Sequence, residues 1–291
     1  MRQPARGGSP APNVDPRTVR GFGDEWSRFD QSGLSPAEWQ ALFDQYFHLV
    51  DWATLPDRAE AFDLGCGSGR WARGVAPRVG TLHCIDASGE ALAVARRTLA
   101  GHANCEFHQA SVGAIPLAPA SMDFGYSLGV LHHVPDTAAG LRAAVACLKP
   151  GAPLLIYLYY AFDNRPTWYR ALWKVSDRLR RVVSALPFPL RYAVLQVVAA
   201  TVYWPLARTA AAAERAGLSV ESFPLAFYRR RSFYVMRTDA LDRFGTRLER
   251  RFTRDQIHRL MTDAGLERVR FSESPPYWCA LGHRRAEPAQ P

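Results

Sequence analysis

The chain has 291 residues, 48% of them apolar, enough for a sizeable core without covalent staples, and a formal net charge of +9. Its five cysteines, Cys66, Cys84, Cys105, Cys147 and Cys279, include no Cys-x-x-Cys pair, which argues against a cysteine zinc site and a disulfide framework. No metal and a reducing compartment are therefore expected. The charge is uneven, because residues 165–254 hold 18 Arg and Lys against 6 Asp and Glu and leave the remainder slightly acidic.

Residues 1–20, rich in Pro, Gly and Arg and without the apolar stretch of a secretory signal, read as a disordered tail. A helix is expected from Pro36 behind the N-cap Ser35, with Trp39, Leu42, Phe43, Tyr46, Phe47 and Val50 at three- and four-residue spacings; it belongs to an N-terminal helical lid, 21–58. Strand and helix signals then alternate: strand 59–64, helix 68–76, strand 81–86, helix 89–100 behind Ser88, strands 104–109 and 122–128, helix 137–148 behind Asp136, strand 154–160. Short strands alternating with helices call for parallel pairing with right-handed crossovers, so 59–160 reads as an α/β core with a doubly wound sheet. Thr253 to Gln256 has the capping-box pattern of a further helix, stopped at Gly265, and strands at 266–271 and 277–281 form a hairpin across Pro275-Pro276 that completes the core over 253–283. The last residues, 284–291, are read as a tail.

Over 161–252 the alternation fails, and the block reads as a helical, basic insertion that caps the substrate. Trp168, Leu172, Trp173, Val175, Leu179, Val182 and Val183 fall mostly on one helical face, with Arg170, Lys174, Arg178 and Arg181 elsewhere around it; a second helix spans 192–213. Its apolar run, 193–207, is shorter than the ~20 residues a membrane-spanning helix needs, so no transmembrane segment is expected. Bounded by Arg191 and Arg208 and containing Tyr203-Trp204, the run suits either a buried cap or an interface beside anionic lipid. The expected location is cytoplasmic, or peripheral at the inner membrane face.

Between the first strand and its helix stands Asp63-Leu-Gly-Cys-Gly-Ser-Gly-Arg70. Glycines recur where a ligand must approach bare backbone at a helix N-terminus. The dinucleotide fingerprint requires a glycine where this chain has Arg70, which weakens a pyrophosphate reading. With this loop and an aspartate, Asp86, ending the second strand, residues 22–160 and 253–283 resemble the class I S-adenosylmethionine (SAM) dependent methyltransferases. That resemblance implies a Rossmann-like, seven-stranded sheet with its last strand antiparallel, and SAM as cofactor. It implies that Gly65, Cys66, Gly67 and Gly69 hold the aminoacyl and sulfonium end, with Asp63 at the start of the loop, and that Asp86, beside Ala87, receives the ribose hydroxyls. Ser111 stands where an acidic residue commonly takes the adenine amino group, and Val112 flanks the ring. Leu128, Gly129 and His133 line the cofactor, and Phe22, Trp26 and Phe29 fold over it.

Methyl transfer is an in-line displacement in which the protein supplies alignment and a dry site. His132 and His133 are the candidate general bases. Tyr160, Asp163, Asn164 and Arg165, after the fifth strand, and Tyr228, Arg229 and Arg237 in the insertion are candidate substrate residues. The expected activity is methylation, O-methylation in the first place, of a small-molecule acceptor that is anionic, glycosylated or lipid-linked. Ser-Leu-Gly-Val replaces the Asn/Asp-Pro-Pro-Tyr of base and amide N-methyltransferases, so nucleic acid is disfavoured. An RNA methyltransferase and a non-catalytic SAM-binding partner subunit are the alternatives.

Overall fold

The computed structural model describes residues 13–220 and 222–286. Seven strands form one sheet: β1 (Glu60–Leu64), β2 (Thr81–Asp86), β3 (Cys105–Gln109), β4 (Phe124–Leu128), β5 (Pro153–Tyr157), β6 (Leu266–Phe271) and β7 (Ala280–Arg284). Their order is β3-β2-β1-β4-β5-β7-β6, with β1 to β5 parallel and β7 antiparallel to both neighbours, so the chain reverses direction at β1/β4. The fold is thus the doubly wound, Rossmann-like sheet expected. Open sheets of this kind place ligands at the carboxyl ends of the strands beside the reversal.

Local chemistry sets the helix starts. Ser35, Ser88 and Asp136 each accept a backbone N–H from the first turn of α2 (Pro36–Phe47), α4 (Gly89–Thr98) and α5 (Thr137–Cys147). Thr253 and Gln256 complete the capping box of α10 (Arg254–Asp263). α1 (Pro16–Arg28) begins inside the stretch read as tail, because Asp15 caps it and Pro16 occupies its first turn; residues 1–12 and 287–291 lie outside the described residues. The helix expected at 68–76 shrinks to α3 (Ala72–Val75), with a 3-10 turn over Ala76–Arg78, since the glycine loop extends to Gly69 and Pro77 cuts the helix off.

One core lies under α2, where Phe43 stacks on Phe47 at 4.3 Å and fills the space above Gly74; the other lies under α5 and α10. The closing hairpin is longer than expected. Pro275-Pro276 holds its loop open to Cys279, so β7 starts at Ala280 and continues to Arg284, past the expected limit of the core.

The insertion contains α6 (Thr167–Ser184), a continuous helical stretch over Phe188–Arg215, and α9 (Phe233–Gly245). Within the long stretch α7 (Phe188–Val198) leads through a wide five-residue turn, Ala199–Tyr203, into α8 (Trp204–Arg215). Pro205 has no N–H to donate and would crowd the carbonyl four residues earlier, and the wide turn just before it removes that conflict. By length and composition it is the one helical stretch among the described residues able to cross a membrane. One side of it nonetheless packs on the body of the protein through Leu195, Ala199, Tyr203, Ala207 and Ala210.

Candidate active site

At the end of β1 the chain folds back against β2: the N–H groups of Gly65 and Cys66 both donate to the carbonyl of Ile85, at 2.7 and 3.0 Å. This close approach sets the backbone at Gly65 to a φ of +82°, and a Cβ there would lie 2.3 Å from a methyl of Val130. Only glycine fits. Asp86 then ties the turn together, its Oδ2 accepting from Gly67 N at 2.9 Å and its Oδ1 from Ser88 N at 2.9 Å. A carboxylate has about four acceptor positions, so each oxygen retains capacity for a ligand hydroxyl.

The cleft beside Asp86 is lined by Gly65, Ala87, Ser111, Val112, Leu128, Gly129 and His133 and roofed by α1 through Phe22 and Trp26. Several buried polar atoms in and under this cleft have no hydrogen-bond partner: Ser111 Oγ, His133 Nε2 and, below the loop, Asp63 Oδ2. Gly129, at a φ of +83°, has open space where a side chain would point. Trp26 sits directly on Gly67, and Asn13 exchanges two hydrogen bonds with the backbone of Asp136, so α1 is clasped across the cleft. Phe29 takes a different place, in the cluster of Val183, Leu195 and Leu241 that joins α1 to the insertion. Gly69 packs against Ala95 and Leu99 of α4, and Cys66 is buried, which lifts its thiol to about 11.

Across β4 and β5 from this cleft lies a second cavity of about 1130 Å³. Gly129 N, on the cleft side, donates to the carbonyl of Tyr157, on the cavity side, at 3.0 Å, so the two spaces share a thin wall. The cavity is walled by aromatic rings, among them Trp71, Tyr157, Tyr159 and Tyr228, and by the cations Arg70, Arg243 and Arg251.

A match to the methyltransferase domain family covers residues 61–151. Over that stretch the chain is similar to a methyltransferase domain, and its sheet has the Rossmann-like order of that fold. Over 135 residues the chain is 33% identical to a 2-phytyl-1,4-naphtoquinone methyltransferase of Thermosynechococcus vestitus, covering 43% of this chain and 60% of that protein. It is 32% identical over 106 residues to a ubiquinone biosynthesis O-methyltransferase of Paracidovorax citrulli, covering 35% of this chain and 43% of that one. The chain thus spans about half the length of these relatives. An O-methyltransferase family protein from Burkholderia thailandensis shares the fold at a TM-score of 0.52 and 18% identity, covering 91% of this chain and 59% of that one. A Haloferax volcanii methyltransferase solved with the Trm112 activator does so at 0.50 and 14%, covering 94% and 100%.

Within the matched stretch the two candidate histidines occupy different places. His132 is fully buried between the rings of Tyr159 and His133, each at 3.9 Å, lies outside both cavities, and is held neutral by burial. His133 donates from Nδ1 to the carbonyl of Leu248 at 2.6 Å and lines the cleft beside Asp86; burial lowers it to about 4. Of the candidate substrate residues, Tyr160, Arg165, Tyr228 and Arg229 line the large cavity. Asp163 instead accepts from Trp278 Nε1 at 2.8 Å and from Arg254 N at 3.0 Å, joining the closing hairpin to α10. Arg237 is engaged by Gln196 and by Tyr192, and Asn164 is exposed; neither lines the cavity.

The sequence reading missed Tyr159, whose hydroxyl donates to Asp242 at the cavity wall. Burial, with help from Asp239, lifts the Asp242 carboxyl to about 7. The two residues are 83 positions apart, and only the approach of α9 to the segment after β5 brings them together.

Asp63 is 1% exposed, and burial lifts its carboxyl to about 8, with Asp86 adding to the rise. Because the folded value lies above the unfolded one, Asp63 favours folding at low pH, and that contribution is lost as pH rises from about 4 through 8. Relative to Asp63→Asn, the ligand-free wild type should lose up to ~1.4 kcal/mol per pH unit in that window. Urea unfolding of both proteins at pH 5 and pH 8 measures this, and an equal difference at both values would contradict it.

Proposed function

We propose that this protein is a SAM-dependent methyltransferase that O-methylates a hydroxylated aromatic acceptor, of quinol type, held in the arginine- and tyrosine-lined cavity. The observation that bears this reading is adjacency: a cleft with spare acceptor capacity at Asp86 and Ser111 adjoins a roomy aromatic chamber, Gly129 of the one bonded to Tyr157 of the other, and transfer requires the two to open onto each other at the ends of β4 and β5. The cleft fits SAM. Asp86 would receive the ribose hydroxyls, Ser111 the adenine edge, and the loop from Gly65 to Gly69 the amino-acid end, with Asp63 nearby to offset the ammonium charge. SAM bound there would supply an electrophilic methyl group on a positively charged sulfur.

The remaining chemistry belongs to the chain. The arginines of the cavity attract an oxygen-rich or anionic acceptor, and the rings of Trp71, Tyr157 and Tyr159 favour a flat one. The activities of the quinone methyltransferase relatives support the same class. An acceptor hydroxyl must give up its proton as it attacks. His133, lowered to about 4, is a weak base for that task, whereas Asp242, lifted to about 7, is poised near neutrality and reaches the cavity through the hydroxyl of Tyr159. In this reading the acceptor proton moves to Tyr159 oxygen while the Tyr159 proton moves to Asp242.

Calorimetry with SAM tests the donor half: Asp86→Ala should weaken binding on the order of 100-fold or more, since two charge-assisted hydrogen bonds at ~1.5 kcal/mol or more each are lost. Unchanged affinity would refute that role. For the acceptor half, methyl transfer from labelled SAM to a panel of catechols and quinols should give an O-methyl product. Tyr159→Phe should lower kcat about 100-fold with SAM affinity intact, in keeping with loss of a general base. Full turnover by that variant would exclude the Tyr159-Asp242 route.

A further inference from the structure

Residues 110–123, which connect β3 to β4, contain no helix, and the outer end of one sheet face is left partly open. On that face parallel register sets His83 of β2 opposite Glu106 of β3, and Ile85 opposite His108. His83 Nδ1 lies 3.1 Å from His108 Nε2 and 3.3 Å from Glu106 Oε2, which are themselves 3.8 Å apart. From those separations, a cation equidistant from the three atoms would sit about 2.0 Å from each, the distance zinc takes to imidazole nitrogen and carboxylate oxygen.

A supporting carboxylate is also in place. Glu60 Oε2 lies 3.3 Å from His83 Nε2, and Glu60 is in turn fixed by Thr81 Oγ1, which donates to its Oε1 at 3.0 Å. With its proton on Nε2, toward Glu60, the His83 ring presents the bare Nδ1 to the cluster, the carboxylate-histidine arrangement of metal sites. We propose that His83, Glu106 and His108 bind one divalent first-row cation, zinc foremost, in a structural site that pins the edge strand β3 to β2. Cysteine spacing gave no sign of it, because its ligands come from paired strands.

Titration of the chelator-treated, full-length protein with zinc chloride should show one saturable site of micromolar affinity or tighter, with a rise in Tm. His83→Gln and His108→Gln should abolish it. Glu106→Gln, a change at an exposed side chain, should do the same without disturbing the fold, and Glu60→Gln should weaken it about 10-fold. Absence of saturable uptake would overturn the proposal, as would uptake that survives these variants, for instance at the thiols of Cys66, Cys84 and Cys105. None of these readouts depends on methyl transfer.

A second, independent observation concerns α6. Trp168, Leu172, Val175, Leu179 and Val182, at alternating four- and three-residue steps, form one row along the helix, and each is between 48% and 65% exposed. Round the helix from that row, the exposed Arg178 lies about 80° away and the exposed Lys174 about 120°, whereas Arg170 and Arg181 lie nearly opposite it and Arg181 pairs with Asp177. Leu190, Val197 and Trp204 leave a further apolar row exposed along α7 and α8. Apolar ridge, flanking cations and interfacial tryptophans are complementary to an anionic bilayer surface. We infer that α6 docks the protein on anionic membrane. Vesicles containing phosphatidylglycerol should co-sediment the protein at least 10-fold more strongly than pure phosphatidylcholine vesicles. Leu172→Gln with Leu179→Gln should reduce binding at least 10-fold, and each of Lys174→Gln and Arg178→Gln about 5-fold, equivalent to ~1 kcal/mol. No binding at low salt, or a concentration-dependent dimer that the leucine variants dissociate, would overturn the inference.

Discussion

The structure depends on one carboxylate. Asp86 ends β2 and accepts simultaneously from the glycine loop, at Gly67 N, and from the start of α4, at Ser88 N. The loop can come that close only because Gly65 and Cys66 have already turned onto the Ile85 carbonyl, a path that a side chain at position 65 would block against Val130. The geometry of the first β-turn-α crossover, the floor of the cleft and the spare acceptor capacity of Asp86 are one arrangement. What makes the cleft polar is also what makes it costly in the ligand-free state: Asp63 is buried with an unpartnered oxygen and a carboxyl lifted to about 8.

The two chambers differ in electrostatic character, and the division follows the architecture. The parallel core supplies acceptors at the strand ends, whereas the insertion brings arginines and the ring of Tyr228, so the large cavity is walled by cations and π faces. Two buried carboxylates, Glu25 of α1 and Asp242 of α9, are both lifted by burial. The Tyr159 hydroxyl links Asp242 to the cavity across the boundary between core and insertion.

What was legible in the sequence was local or periodic. Gly65, Gly67, Gly69 and Asp86 announce the cleft within 22 residues, and strand and helix periods gave the order of the sheet. The rest required contacts that no short window contains. Asp163 resembles a cavity residue by position, yet its carboxylate is taken by Trp278, 115 residues away, and by the start of α10. Pro205 looked like an interruption of the apolar run, but a wide turn absorbs it and the helix continues to Arg215. The apolar face of α6 was legible as a face, but not that Trp168, Leu172, Val175, Leu179 and Val182 lie outside while Val183 is buried, because a period of 3.6 marks an amphipathic face without naming what covers it. Tyr159 with Asp242, and His83 with His108, are pairings across elements, invisible to spacing.

The most direct test of the central claim is a crystal structure of the protein with S-adenosylhomocysteine. The ribose hydroxyls should rest on Asp86, the adenine beside Ser111 and Val112, and the sulfur should face the wall shared by Gly129 and Tyr157, toward Tyr159. A nucleoside bound away from Asp86, or a sulfur directed away from the aromatic cavity, would contradict the assignment of the two chambers.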